Sequence, residues 1–138
     1  MTFDLERFVA AQDPVWPEVV EELRGGAKRT HWMWFVFPQI AGLGRSDTAR
    51  HYAIGSLEEA RAYLAHPVLG TRLREAAGLL LAVDGRTAVE VFGMIDALKL
   101  CSSMTLFLRA DPGETLFRRV LDRYCGGVAD EATDALLG

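Results

Sequence analysis

The feature that most constrains this chain is its punctuation: helix start and stop signals recur along nearly its whole length and leave no room for long strands. Asp13-Pro14 restarts the chain and Gly25-Gly26 closes the run that follows. Asp is a preferred cap and Pro is favoured at the first helical position, so 14–24 reads as a helix with Trp16, Val19, Val20 and Leu23 as its buried stripe. Pro17 falls in its first turn, where the missing N–H has no intrahelical partner to lose. Upstream, Thr2 or Asp4 can cap a short first helix that carries Leu5, Phe8 and Val9 at helical spacing. Downstream, Ser56-Leu-Glu-Glu matches a capping box, with Ser56 as cap and Glu59 reaching back, and opens a helix to Ala65. His66-Pro67 breaks that helix, and 67–83 reads as the next, apolar on more than one face at Leu79, Leu80 and Leu81. Thr87 and Glu90 repeat the capping box and open a short helix that stops at Gly93. The spacing then predicts a central helix over 94–109, burying Ile95, Leu98, Met104, Leu106, Phe107 and Leu108 around most of its circumference. Asp111-Pro112 starts a further helix to Tyr124, and Asp130 caps a last one to Leu137. The expectation is a mainly α, compact single domain of six to eight helices.

A chain of 138 residues fits one domain, and with half its residues hydrophobic it can bury a sizeable core. The net charge of -4 gives no footprint for duplex nucleic acid, so no such partner is expected. No run approaches the length needed to span a membrane, and MTFDLERF lacks a basic region followed by an apolar one, so the expected location is cytoplasmic. In that setting Cys101 and Cys125 read as buried thiols, and the scattered His31, His51 and His66 do not make a metal site. No cofactor is expected.

Against this helical background the segment 28–54, KRTHWMWFVFPQIAGLGRSDTARHYAI, stands out for its density of side chains that are costly to place. WMWFVF is aromatic and β-branched enough to be extended, and a short buried helix fits the same residues. If extended, Trp32, Trp34 and Val36 share one face, and Met33, Phe35 and Phe37 the other. Trp32 and Trp34 are candidates for stacking a ring, with Gln39 and Tyr52 as polar contacts; the alternative is that the aromatics are core. In GLGRS, Gly42 and Gly44 permit close approach of backbone N–H groups to an anion, with Arg45 and Ser46 as phosphate donors and Asp47 as a helix cap; a plain turn explains the same residues. His31 is either a hydrogen-bonded structural residue or a positioning group. Elsewhere, Asp96, Lys99 and Ser103 at i, i+3 and i+7 put a carboxylate, an ammonium and a hydroxyl on one stripe of an otherwise apolar helix. Buried, such a pair must be matched to each other or to a ligand; exposed, it is an ordinary helix ion pair.

The run DLERFVAAQDPVWPEVVEELRGGAKRTHWMWFVFPQIAGLGRSDTARHYAI, with L-x-HPVLGTRL and VFGMIDALKLCSSMTLF after it, resembles the domain-of-unknown-function 1810 family over nearly the whole chain. Members often carry the name calpastatin, although a compact helical domain is unlike a disordered protease inhibitor. More remotely the family is similar to the YbiA-like, or NADAR, fold, a small mainly α-helical domain whose members include N-glycosidases of riboflavin-pathway ribosyl intermediates and of ADP-ribose linkages. The resemblance implies a pocket for a nucleotide or ribose phosphate beside a carboxylate, and places Asp96 and Lys99 near it. Hydrolysis of an N-glycosidic bond is then the expected reaction, with Asp96 and Lys99 catalytic and His31, Trp32, Trp34, Gln39, Gly42, Gly44, Arg45, Ser46, Tyr52 and Ser103 binding the ligand. A non-catalytic nucleotide- or ADP-ribose-binding module uses the same features. Either way, the aromatic segment and the Asp96 helix are expected to face each other across one pocket.

Overall fold

The computed structural model describes residues 3–138. Ten helices account for most of it: α1 (Glu6–Gln12), α2 (Trp16–Arg24), α3 (Met33–Val36), α4 (Asp47–His51), α5 (Leu57–Ala65), α6 (Leu69–Ala82), α7 (Ala88–Phe92), α8 (Met94–Ala110), α9 (Thr115–Tyr124) and α10 (Glu131–Leu137). The count exceeds the expected six to eight because short helices such as α3 and α4 interrupt the segment between α2 and α5. The described residues contain no strand. A single parallel bridge pairs Ile40 with Ile54: Ile54 N–H donates to Gln39 O and Ala41 N–H to Ile54 O, both at 2.8 Å. It closes 41–53 into a loop.

The aromatic run resolves as a helical turn, α3, and not as a strand. Trp32, Met33, Val36 and Phe37 are the buried positions and Trp34 and Phe35 are half-buried, which is the spacing of a helix with one face on the core. The alternating faces expected of an extended run are absent.

Most predicted breaks fall where expected, while several caps differ. Ser56 accepts from Glu59 N–H as a cap should, but Glu59 Oε1 accepts from Gly55 N–H at 2.7 Å and its Oε2 pairs with Arg7 at 3.1 Å, so the box does not close on Ser56. Thr87 and Glu90 form the reciprocal box in full. Asp13 ends α1 and pairs with Arg72 at 2.8 Å instead of capping α2. Leu5 occupies the cap position of α1, so Asp4 does not, and Thr2 lies outside the described residues. Ser46, not Asp47, caps α4, and α9 begins at Thr115, past the Asp111-Pro112 signal. The breaker His66 has a second use: its Nδ1 accepts from the N–H groups of Val68 and Leu69, at 3.1 and 3.2 Å, satisfying the start of α6.

Helix α8 is the centre, with α5, α7, α9 and α10 packed around it and α6 bridging α2, α5 and α9. Its buried side is carried by Ala97, Leu100, Met104, Leu106, Phe107 and Leu108. Two expected core residues are not in the core: Ile95 and Leu98 are each 72% exposed, beside Met94 at 74%. Ala97 and Leu100 already supply the inward face of the opening turns, which leaves positions 94, 95 and 98 on the outward face. A buried polar knot ties three elements: Gln12 donates to Phe35 O at 2.7 Å and to the Tyr63 hydroxyl at 3.0 Å, and burial pushes that phenol well above its ordinary range.

Cys101 and Cys125 are joined as a disulfide, which corrects the expectation of free thiols. The close packing of α8 on α9 brings their Cα atoms to 5.9 Å, within bridging range. A separation of 24 residues in the chain does not reveal that proximity.

The contrast within α8 is measurable. Phe107→Ala, at a position with no exposure, should lower the unfolding free energy by about 3–5 kcal/mol in urea titration, whereas Leu98→Ala should change it by no more than about 0.5 kcal/mol.

Candidate functional site

The bend between α2 and α3 leaves backbone N–H groups that no helix satisfies. Glu22, in the last turns of α2, satisfies them: Oε1 accepts from Arg29 N–H at 2.7 Å, from Thr30 N–H at 3.0 Å and from the Trp32 indole N–H at 3.0 Å, and Oε2 accepts from the Thr30 hydroxyl at 2.7 Å. On the far side of the bend, Lys28 N–H donates to Val91 O at 2.8 Å, docking the segment on α7. The bend thereby points Lys28, His31 and Trp34 at the start of α8.

There they meet Asp96. Lys28 Nζ lies 2.9 Å from Asp96 Oδ2, and Lys99 Nζ lies 3.5 Å from Asp96 Oδ1. The Lys28 side chain is only 7% exposed, so this is a largely desolvated pair and not a solvated surface contact. Each ammonium also sits against an indole face, Lys28 over Trp32 at 5.2 Å and Lys99 over Trp34 at 4.9 Å. Lys28, His31, Met33, Trp34, Phe92, Gly93, Met94, Ile95 and Asp96 line an open cleft of about 430 Å³. That volume suits a small molecule. Two ammonium groups against one carboxylate leave the cleft a formal excess of one positive charge, so it favours an anion. Trp34 offers a ring face, and the exposed Met94 and Ile95 form an apolar lip.

The predicted residues divide cleanly. His31, Trp34 and Asp96 line the cleft, and Lys99 borders it through Asp96 and Trp34. Trp32 is 1% exposed and holds the bend through Glu22. Gln39, Gly44 and Tyr52 share with Trp34 a gap of about 10 Å³, too small for a ligand, on the way to the 41–53 loop. A Cβ on Gly44 would come within 2.4 Å of the Ala49 Cβ, so this glycine serves the close packing of α4. Gly42 has φ 108 and lies against Leu136, while Ser46 is occupied as the cap of α4 and Arg45 is exposed outside the cleft lining. Ser103 is fully buried, and its hydroxyl has no hydrogen-bond partner among the described residues. The residue that sequence reasoning missed is Lys28, with Glu22 behind it; a lysine next to an aromatic run, followed at a distance by an aspartate in a first helical turn, was the available signal.

Fold and cleft together define a small, all-helical, single-domain protein with a cation-rich, aromatic-walled site. The chain belongs to the family described as protein of unknown function (DUF1810), whose model matches residues 2–137. It is similar to the crystal structure of the conserved hypothetical protein Rv1873 from Mycobacterium tuberculosis, with 59% identity over 98% of this chain and 96% of that one and a TM-score of 0.96. No curated protein matches it. No helix among the described residues is long and apolar enough to cross a membrane, and no group of His, Cys, Asp and Glu among them is arranged to hold a metal ion.

Glu22 makes the site sensitive to acid. Burial raises its pKa, but the hydrogen bonds from Arg29, Thr30 and Trp32 outweigh that and hold the carboxyl at about 2, against 4.5 for an ordinary glutamate. A folded-state pKa below the unfolded one contributes stability above pH 4.5 that is lost as pH falls towards 2. Glu22→Gln should therefore be less stable at neutral pH by about 1–2 kcal/mol, allowing for solvent screening of a partly exposed group, and should show a shallower loss between pH 4.5 and 2 in acid unfolding followed by circular dichroism.

Proposed function

We propose that the cleft at Asp96 binds the phosphorylated ribosyl part of a nucleotide-derived compound and that the chain hydrolyses its N-glycosidic bond. The observation that carries this reading is the Lys28–Asp96–Lys99 group beside Trp34: a carboxylate, two ammonium groups and a ring face at one cleft. The ammonium groups would take the phosphate, Trp34 the base or ribose face, and His31 would position the ligand. Asp96 would stabilise the positive charge that develops at the anomeric carbon, or orient the attacking water. The reaction class itself comes from the resemblance to NADAR-type N-glycosidases.

One observation favours a second reading, a binding module without turnover. Asp96 is already shared between two ammonium groups, and no second carboxylate lines the cleft, although glycoside hydrolysis commonly uses two.

Calorimetry with ribose phosphate and ADP-ribose, together with chromatography for released base, separates these cases. Lys99→Met should weaken binding by about tenfold, the cost of one charge-assisted contact to phosphate. Asp96→Asn should keep or tighten phosphate binding, because it removes the negative charge, while abolishing base release. Wild-type protein that binds these ligands but releases no base from any phosphorylated ribosyl compound would establish the module. Absence of binding would remove both readings.

A further inference from the structure

The Cys101–Cys125 disulfide does not sit in the core. Both residues are half-buried, and both line a second open cleft, of about 480 Å³, with Gln39, Leu43, Leu98 and Val128 among its walls. A disulfide whose two residues are half-buried and line a space large enough for a small molecule differs from the sealed crosslink that only staples a fold.

We propose that this second cleft is a thiol-exchange site, at which small thiols without net negative charge reduce the Cys101–Cys125 disulfide reversibly. A thiolate attacks Cys125 Sγ, the new sulfur–sulfur bond forms a mixed disulfide on Cys125, and Cys101 leaves as thiolate and takes up a proton. A second thiolate attacks the sulfur of the small thiol, releasing Cys125 as thiolate, which is protonated in turn. The sum is two thiols and one protein disulfide giving a protein dithiol and the symmetric small disulfide.

The order of events follows from position. Cys125 ends α9, its N–H bonded to Leu121 O at 2.9 Å, so a thiolate there would face the negative end of the helix, whereas Cys101 lies within α8 away from its C-terminus. Cys101 is thus the better leaving group. The two glycines after Cys125, Gly126 with φ 66 and Gly127 with φ 73, take the left-handed conformations that end α9 at the disulfide.

The selectivity follows from charge. Asp130 and Glu131 line the cleft, and no lysine or arginine does. Asp130 is engaged by the Ser102 hydroxyl at 2.9 Å and the Thr133 hydroxyl at 2.5 Å, while Glu131 makes no ion pair among the described residues. An anionic thiol is repelled on approach, and a cationic one is drawn in.

The test uses the intact oxidised chain without denaturant, at equal thiolate concentrations of cysteamine, β-mercaptoethanol and glutathione. Intact mass reports the mixed disulfide, and a chromogenic disulfide reagent counts the freed thiols. Expected are reduction in the native state and a rate about fivefold higher with cysteamine than with glutathione at low ionic strength, a gap that closes in high salt and narrows in Glu131→Gln. Cys101→Ser, treated with cystamine, should accumulate the adduct on Cys125. A disulfide that resists all three thiols until the chain is unfolded would overturn the proposal, as would rates that ignore the charge of the thiol.

Discussion

The structure of the cleft depends on how one carboxylate solves a backbone problem. Between α2 and α3 the chain turns towards the core without regular hydrogen bonding, and the N–H groups of the exposed Arg29 and Thr30 are left to a side-chain acceptor. An ionised carboxylate offers roughly four acceptor positions, and Glu22 places four donors on them. The bend is thereby fixed to α2 on one side, and through Lys28 N–H to α7 on the other. Lys28 and Trp34 project from this bend and inherit its rigidity. The cleft is preformed by bonds that do not line it.

Helix α8 supplies the opposite wall because its two ends answer to different neighbours. From Ser102 to Leu108 it is buried against α5, α9 and α10, while its opening turns carry Met94, Ile95 and Leu98 out into solvent. Asp96 stands in the first turn, after a Gly93 that offers no side-chain cap, so its charge also favours the positive end of the helix. The same exposed turns separate two chemistries: Met94 and Ile95 belong to the cation-rich cleft, and Leu98 to the acidic cleft that contains the disulfide.

What was legible in the sequence was what local rules govern. Glycine stops, prolines and short polar caps place the helices to within a few residues, because these effects act within a turn of the residue that causes them. The helical state of 33–36 was not legible, since a short apolar run fits either period until the core selects one. The exposure of Ile95 and Leu98 was not legible either: hydrophobicity around a whole helix does not say which turns lie beyond their neighbours' reach. Of the site, the Asp96–Lys99 spacing and its opposition to Trp34 and His31 could be read. Lys28 was missed because nothing within its own segment ties it to Asp96 on α8, and the disulfide escaped for the same reason. GLGRS shows the converse: its glycine and serine obey packing and capping at α4, a local demand that looks in sequence like an anion loop.

The charge of the cleft bears on the proposed chemistry. Cleavage of an N-glycosidic bond builds positive charge at the anomeric carbon, and a cleft with two ammonium groups and one carboxylate opposes that charge when empty of anions. A phosphate on the ligand reverses the balance. By occupying Lys28 and Lys99 it adds negative charge and also weakens their hold on Asp96, whose carboxylate then becomes available to the reacting carbon. On the proposed reading the phosphate is therefore part of the catalytic electrostatics and not only an anchor. A nucleoside without it would meet the same Trp34 face but would leave Asp96 tied to two cations. On that reading a preference for phosphorylated ribosyl compounds would follow from the ion pairs themselves, and it would be stronger in turnover than in binding.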